Sequence, residues 1–439
     1  MNIILLSGGS GKRLWPLSND VRSKQFIKFL EDENGNKQSM VQRVFSQINR
    51  TLNPSTLTIA TSKTQVSAIR NQLSGKYDVC IEPCRRDTFP AIALSCAYLK
   101  DVLGVKRDEC VVVCPVDPYV DDNFFVSMKE LEYVVNNKEA NMALLGIKPD
   151  CPSEKYGYII PESSNKISKV LQFKEKPTAE VAETYLKQNA LWNAGVFAFK
   201  LGYLLDKAHQ LIDFVDYVDL FNKYEKLNKI SFDYAVVENE KEISVVQYNG
   251  QWKDIGTWNM STEVMKSNVV GEGTLEKCEN THIVNELDVP VIGVGLDNVV
   301  ISVGPDGILV SNKDLSEGIK KIVDNKTNVI MFAEKSWGQF QVINHNKTSL
   351  TILNTINTGK AMSYHYHNNR SEVWIVLEGS GMVVINDELI SVSPGSVVQI
   401  PIGVKHTIKS ITPLKTIEIQ IGDEINKSDK IKVDENQRI

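Results

Sequence analysis

From residue 1 to about 265, short apolar runs rich in Val, Ile and Leu alternate with longer stretches of helical character. No other feature of this 439-residue chain restricts its fold as much. Residues 3–6, 57–60, 110–114, 142–147 and 196–199 are short, apolar and often β-branched, and read as buried strands. Residues 90–103 and 178–188 lie between them and read as helices. Such alternation requires an α/β layer around a mostly parallel sheet. Sheets of this kind bind ligands at the carboxyl ends of their strands. The Gly-rich turn after the first strand is therefore where a site is expected.

The character changes after residue 265. Val289-Pro-Val-Ile-Gly-Val-Gly, Asn298-Val-Val-Ile-Ser-Val and Gly307-Ile-Leu-Val-Ser are short strands broken by Gly, Asp and Asn turns. They predict a short left-handed β-helix-like segment over 266–330, ending in a helix near 315–323. From 331 to 425 the pattern is all-β, with strands at 349–353, 373–377, 382–385, 396–400 and 416–421. This spacing predicts a jelly-roll sandwich or barrel. Residues 426–439 read as a charged, frayed tail.

Composition narrows the partners. A formal net charge of −5, without a basic face or a basic amphipathic segment, argues against nucleic acid and membrane surfaces. The first strand follows Met1 directly, with no signal-peptide pattern, and no run approaches the length of a transmembrane helix. Seven cysteines are an odd number. The i, i+4 pairs Cys80/Cys84 and Cys110/Cys114 read as buried thiols, which points to a reducing cytoplasm. Small-molecule substrates and a homo-oligomer are expected.

Ser7-Gly8-Gly9-Ser10-Gly11-Lys12-Arg13-Leu14 follows the first strand. Its glycines let the backbone approach a polyphosphate closely. The spacing fits neither a Walker A loop nor a dinucleotide fingerprint. With Arg13-Leu-Trp-Pro16-Leu-Ser and Lys24-Gln-Phe, the segment resembles the sugar-nucleotide pyrophosphorylases of the mannose-1-phosphate guanylyltransferase family. More of that family's motifs follow in order: Glu82-Pro-x-x-Arg86-Asp87-Thr88, Pro115-Val-Asp117, Tyr156-Gly157-Tyr158, Phe173-Lys-Glu175-Lys176-Pro177, Trp192-Asn193-x-Gly195 and Trp252-x-Asp254-x-Gly256. Three positions depart from the family pattern. Ser23 stands where Pro is usual, Asp87 where Asn is usual, and Pro118 where His commonly follows the aspartate.

The resemblance implies a Rossmann-like nucleotidyltransferase domain over 1–265. In it Gly8, Gly9, Gly11, Lys12 and Arg86 would bind the nucleotide, and Arg13 and Lys24 would stabilise the α-phosphate as pyrophosphate leaves. Asp117 and Asp254 would hold Mg2+, and Tyr156, Gly157, Glu175, Lys176 and Asn193 would face the sugar phosphate. The residue types suit the reaction. Two anionic reactants meet only after their charge is screened by cations and a divalent metal. No general base is required, because the attacking phosphate is already ionised. Trp192, Phe197 and Trp258 read as core.

The second constellation lies in the all-β part. Gly359-x5-His365-x-His367-x4-Glu372-x6-Gly379 and Gly395-x5-Pro401-x-Gly403-x2-His406 gather three imidazoles and a carboxylate. Alternation puts His365 and His367 on one side of a strand, and His406 is expected on the opposing layer. Such a set suits a divalent transition metal, Zn2+ or similar. The two patterns resemble cupin motifs, and the segment from His365 to Trp374 resembles the type II phosphomannose isomerase module. His367, Arg370, Glu372 and Trp374 match that module, and Arg370 would bind a sugar phosphate. His365 stands where the module has Gln, and Val373 where it has His, which weakens the case for proton transfer.

The implied function is the making of GDP-mannose from GTP and mannose 1-phosphate, with mannose-6-phosphate isomerase activity in the cupin. The alternatives are another base or sugar 1-phosphate, and a non-catalytic cupin that senses sugar or mediates assembly.

Overall fold

The first strand, Asn2–Ser7, sets the frame. The computed structural model describes residues 1–9, 12–325, 330–423 and 425–433. Asn2–Ser7 pairs in parallel with Thr56–Ser62 on one side and Cys110–Pro115 on the other. It lies inside a nine-stranded sheet. The strand order is Asp78–Glu82, Thr56–Ser62, Asn2–Ser7, Cys110–Pro115, Leu191–Lys200, Met142–Ile147, Ile243–Tyr248, Ile167–Lys174 and Tyr158–Pro161. Leu191–Lys200 and Ile167–Lys174 run against the other seven, so the sheet is mostly parallel in direction and mixed in its pairings. Ile4, Val111, Val113, Leu144, Phe197, Phe199 and Val245 from its middle strands are buried in one core. Near-continuous apolar runs are what a sheet covered on both faces demands.

The helix Thr88–Asp101 is buried along much of its length, and Phe89, Ile92, Ala93, Leu94, Cys96 and Leu99 join the same core. Asp87 starts it with φ 70°, accepting a hydrogen bond from the Thr88 amide. The helix expected over 178–188 spans Ala179–Leu186. Trp192, Phe197 and Trp258 are core, as expected. Cys80, Cys110 and Cys114 are buried, and burial pushes each thiol up. Cys84 is only partly buried.

The chain forms two compact units. One comprises Met1–Ser10, Gln25–Val66 and Leu73–Lys266, and the other Gly11–Lys24, Ser67–Gln72 and Ser267–Ile439. The segment carrying Arg13 and Lys24 groups with the second unit. The reason is local. Arg22 forms a bidentate ion pair with Glu286 at 2.6 and 2.9 Å, Asn19 donates to Asp306 at 2.6 Å, and Lys12 meets Asp324 at 3.2 Å. Leu14 and Leu17 are buried.

Within the second unit, Val269–Val270, His282–Asn285 and Val299–Gly304 stack in parallel, as do Gly273–Glu276 and Val291–Val294. Gly307–Asn312 closes the first stack in antiparallel pairing. Ile283, Ile301 and Val303 form its small core. The helix expected near 315–323 is a 3-10 turn, Ser316–Gly318, continued by Ile319–Asp324.

The last part is a barrel of two sheets. One orders Phe332–Lys335, Gly338–His345, Ser349–Ile356, Leu414–Gly422, Arg370–Glu378 and Val397–Ile400. The other orders Glu388–Val392, Gly381–Ile385, His406–Ser410, His365–Tyr366 and Ile431–Lys432. Two expectations are corrected here. His406 is the register partner of His365 in the same sheet, and Glu372 comes from the opposing one. The tail expected to fray from 426 instead forms Ile431–Lys432, paired with His365–Tyr366, and buries Asp429. Residues 434–439 lie outside the described residues. No described helix is long and apolar enough to cross a membrane.

Candidate active site and metal centre

In the first unit, register brings the two key turns together. Leu6 pairs with Pro115, so the chain leaves adjacent parallel strands at Gly8-Gly9 and at Asp117. A Cβ on Gly8 or Gly9 would meet nothing within 4 Å, and Gly9 has φ 104°. The turn is therefore open on one side and needs glycine at position 9. Gln25 donates to the Gly8 carbonyl at 3.3 Å and Gln65 to the Gly9 carbonyl at 3.5 Å. Gly11 lies outside the described residues.

Asp254 reaches the same edge from far along the chain. Trp252–Asp254 forms a two-stranded ladder with Pro118–Val120, in which Asp254 is the partner of Pro118. Asp117 and Asp254 thus stand beside one another across this ladder, and both line a cavity of about 200 Å³. Tyr156, Gly157, Glu175 and Asn193 line it too, as do Lys155, Trp252 and Asp233.

The far wall is tightly interlocked. The Asn193 amide nitrogen donates to the Gly157 carbonyl at 2.8 Å, its Nδ2 to Asp233 at 2.7 Å, and its Oδ1 accepts from the Gly195 N–H at 3.0 Å. A Cβ at Gly157 would lie 2.6 Å from Glu175 Oε2 and 2.9 Å from Phe173. Only glycine leaves Glu175 in place. Lys176, at φ 44°, puts its Nζ 2.8 Å from Glu175 Oε1. Burial, and then the Glu175 charge, push the Asp233 carboxyl up to about 7. The Tyr156 ring packs on Trp192 at 4.7 Å and Trp252 at 5.4 Å. Burial and Asp254 push its phenol up.

Four carboxylates and a single lysine line this cavity. An anionic sugar phosphate would be repelled from such a lining unless a cation entered with it, so the donor set fits a divalent metal.

The remaining expected residues are not among those that line this cavity. Arg13 is exposed in the 3-10 turn Lys12–Leu14, and Lys24 opens Lys24–Phe26, both in the second unit. Lys12 is held by Asp20 at 3.1 Å as well as by Asp324. Arg86 donates to the Glu225 carbonyl.

The barrel brings its four expected ligands together. One ligand atom from each of His365, His367, Glu372 and His406 lies within 4.8 Å of the others, and all four residues are buried. Each imidazole has its Nδ1 on a backbone carbonyl: His365 on Ser363 at 2.7 Å, His406 on Val404 at 2.8 Å, and His367 on Asp429 at 3.0 Å. A carbonyl only accepts, so each Nδ1 carries a proton, and in the neutral ring Nε2 is then a bare lone pair. His367 Nε2 nevertheless sits 2.8 Å from Glu372 Oε1, and His406 Nε2 3.3 Å from Oε2. A lone pair facing a carboxylate is satisfied by a cation between them, a proton or a metal ion, and three such nitrogens around one buried carboxylate form a donor set that fits a metal. Trp374 Nε1 and Gln420 Nε2 each donate to Glu372. Burial alone would raise the Glu372 carboxyl, but His367 and His406 hold it well below the usual range. Burial takes His365 down to about 2.

Residues 2–268 match the family described as nucleotidyl transferase. The chain belongs to the nucleotidyl transferase family. Residues 323–435 match a second family, the mannose-6-phosphate isomerase C-terminal domain. Mannose-1-phosphate guanylyltransferase RfbM of Salmonella typhimurium is 28% identical, over 98% of this chain and 96% of its own. Xanthan biosynthesis protein XanB of Xanthomonas campestris is 26% identical, over 98% of each. Among solved structures, a Thermus thermophilus protein described as mannose-1-phosphate geranyltransferase is similar at TM-score 0.63 and 26% identity. The match covers 74% of this chain and 98% of that one.

For this transferase the sequence reading placed Asp117, Asp254, Tyr156, Gly157, Glu175 and Asn193 in one site, and the structure gathers them around one cavity. It missed Asp233, Lys155 and Trp252. Asp233 is the second residue of the short helix Phe232–Ala235. There an acidic residue reads as favouring the helix dipole. Its hydrogen bond from Asn193 spans 40 positions of sequence.

Proposed function

We propose that this protein transfers a guanylyl group from GTP to mannose 1-phosphate, giving GDP-mannose and pyrophosphate. The observation that carries the reading is the ladder that sets Asp254 beside Asp117 at the rim of the cavity formed by Gly157, Glu175 and Asn193. The full-length similarity to guanylyltransferases supports the choice of base and sugar.

In this reading Glu175 and Asn193 bind sugar hydroxyls, with the Asn193 amide fixed by Gly195 and Asp233. Lys176, steered by Glu175, neutralises the sugar's phosphate. Asp117 and Asp254 are the ligands for Mg2+, which when bound screens the phosphate charge. A phosphate oxygen of mannose 1-phosphate forms a bond to the α-phosphorus of GTP, and the bond from the α-phosphorus to the bridging oxygen breaks. Gly8, Gly9, Gly11, Lys12 and Arg86 serve the nucleotide, and Arg13 and Lys24 stabilise the charge that develops on the α-phosphate. The 266–330 segment is a left-handed β-helix in this reading.

The test is pyrophosphate release across a panel of nucleoside triphosphates and sugar 1-phosphates with Mg2+. GTP with mannose 1-phosphate should give the highest kcat/KM. A higher value for another pair would replace this reading with the transfer of another base or sugar.

We further propose that the barrel holds a divalent transition metal on His365, His367, Glu372 and His406, and that it interconverts fructose 6-phosphate and mannose 6-phosphate. Arg370, buried and held by the Asn426 carbonyl at 3.0 Å, would meet the phosphate. A coupled isomerase assay with and without EDTA tests this. Absence of turnover with the metal loaded favours the sensing or assembly role.

A further inference from the structure

The three barrel histidines are oriented in two different ways. His365 and His406 each hold a carbonyl two residues earlier, Ser363 and Val404, so their orienting partners are local. His367 has no such neighbour. Its Nδ1 reaches the carbonyl of Asp429, 62 positions later.

Asp429 is built into this place. Its side chain accepts from the Asn368 amide at 2.9 Å, from the Asn369 amide at 3.1 Å, and from Asn369 Nδ2 at 3.1 Å. Its second oxygen faces Arg370 Nη1 at 3.4 Å. The Asp429 N–H donates to Asn426 Oδ1 at 3.1 Å. Val433 N–H donates to the Tyr364 carbonyl at 3.0 Å, and Ile431–Lys432 adds a strand beside His365–Tyr366. One carboxylate thus clamps the turn directly after His367, while its own carbonyl fixes the ring.

We propose that the C-terminal segment around Asp429 is a positioning element of the barrel's metal centre, so that the jelly roll closed at Gly422 lacks the orienting partner of one ligand. The proposal rests on the reading of the four residues as a metal site. Orienting partners of ligating histidines set ring direction and basicity, and their loss typically weakens metal binding by about 10- to 100-fold.

The experiment titrates the full-length, metal-stripped protein with Co2+. Its visible d–d absorption reports affinity and ligand geometry, and the melting temperature of the metal-free protein is recorded alongside. Asp429→Ala keeps the carbonyl on His367 but removes the carboxylate that holds it in place, and should weaken Co2+ binding by up to about 10-fold and alter the spectrum, while the metal-free protein still melts cooperatively. Asp429→Asn keeps an accepting oxygen for the Asn368 and Asn369 amides and should stay within about threefold of the parent. Truncation after Gly422 should be at least as weak as Asp429→Ala.

Parent-like affinity in Asp429→Ala overturns the proposal. So does an affinity loss matched by collapse of the metal-free melting transition in both substitutions, since that marks a purely structural role. If the parent itself binds no Co2+, the metal reading fails first and this inference falls with it.

Discussion

Gly157→Ala tests the sugar side of the cavity with a single methyl group. The added carbon would lie 2.6 Å from Glu175 Oε2, 2.9 Å from Phe173 Cζ and 3.4 Å from Asn193 Cβ. Two of these separations are shorter than van der Waals contact permits. Phe173 and Glu175 are both buried, and neither can swing into solvent without loss. Glu175 is the more mobile partner and should yield first. Overpacking of this size costs about 1–3 kcal/mol in stability. A displaced carboxylate forfeits a hydrogen bond to the sugar, about 1.5–3 kcal/mol for a charged acceptor. At 1.4 kcal/mol per decade, this is a loss of roughly 10- to 150-fold in kcat/KM for the sugar 1-phosphate. The KM for the nucleotide should stay within about twofold, because the contacts at Gly157 are all on the sugar side. The assay is steady-state pyrophosphate release with each substrate varied in turn, alongside thermal melting. Unchanged sugar kinetics in a folded variant would show that Glu175 does not touch the sugar, and a loss confined to the nucleotide KM would refute the division of the cavity.

Asp117→Ala and Asp254→Ala should each lower kcat by about 100-fold or more, and excess Mg2+ should restore little; parent-like turnover of either variant in Mg2+ would count against the shared-metal reading. Arg13→Ala and Lys176→Ala should nearly abolish transfer in the same assay. His367→Ala should lose bound transition metal by elemental analysis while pyrophosphate release persists. Asp233 titrates at about 7 in the folded chain and near 4 when unfolded, so between these values the folded state holds a proton that the unfolded state has released. Its contribution to stability therefore falls as pH rises through that window and is lowest above 7. Asp233→Asn abolishes this titration, so the gap in melting temperature between variant and parent should widen in the variant's favour from pH 5 to pH 8, and a constant gap would place the shift elsewhere.

How legible the molecule was depended on how local each signal is. Asn2–Ser7 and Cys110–Pro115 announce themselves because a strand covered on both faces reads as a near-continuous apolar run. His365, His367 and His406 stand out because few residue types bind transition metals and their spacing survives in sequence. Asp233 did not stand out, since an acid early in a helix has an ordinary explanation and its bond to Asn193 is visible only in three dimensions. The sheet holding His406 was misjudged because a Pro-Gly turn fixes that the chain reverses and leaves open which strand it then joins. Register settled that His406 pairs with His365. The C-terminal segment misled for the opposite reason. Its charge suggested solvent, yet Asp429 meets two backbone amides and an arginine inside the barrel.

The grouping of residues 11–24 with the later part of the chain bears on how the gene can be divided. A fragment ending at 266 would keep every residue of the signature loop and lose Glu286, Asp306 and Asp324. Arg22, only 8% exposed, would be left as a guanidinium with no counter-charge, and Trp15 would lose the glycine hairpin at 307 that accommodates its ring. Anyone transplanting the catalytic half onto another carrier, or comparing natural fusions, should therefore carry the coil through at least residue 324 with it. The cut that looks cleanest on a linear map runs through the footing of the loop it is meant to preserve.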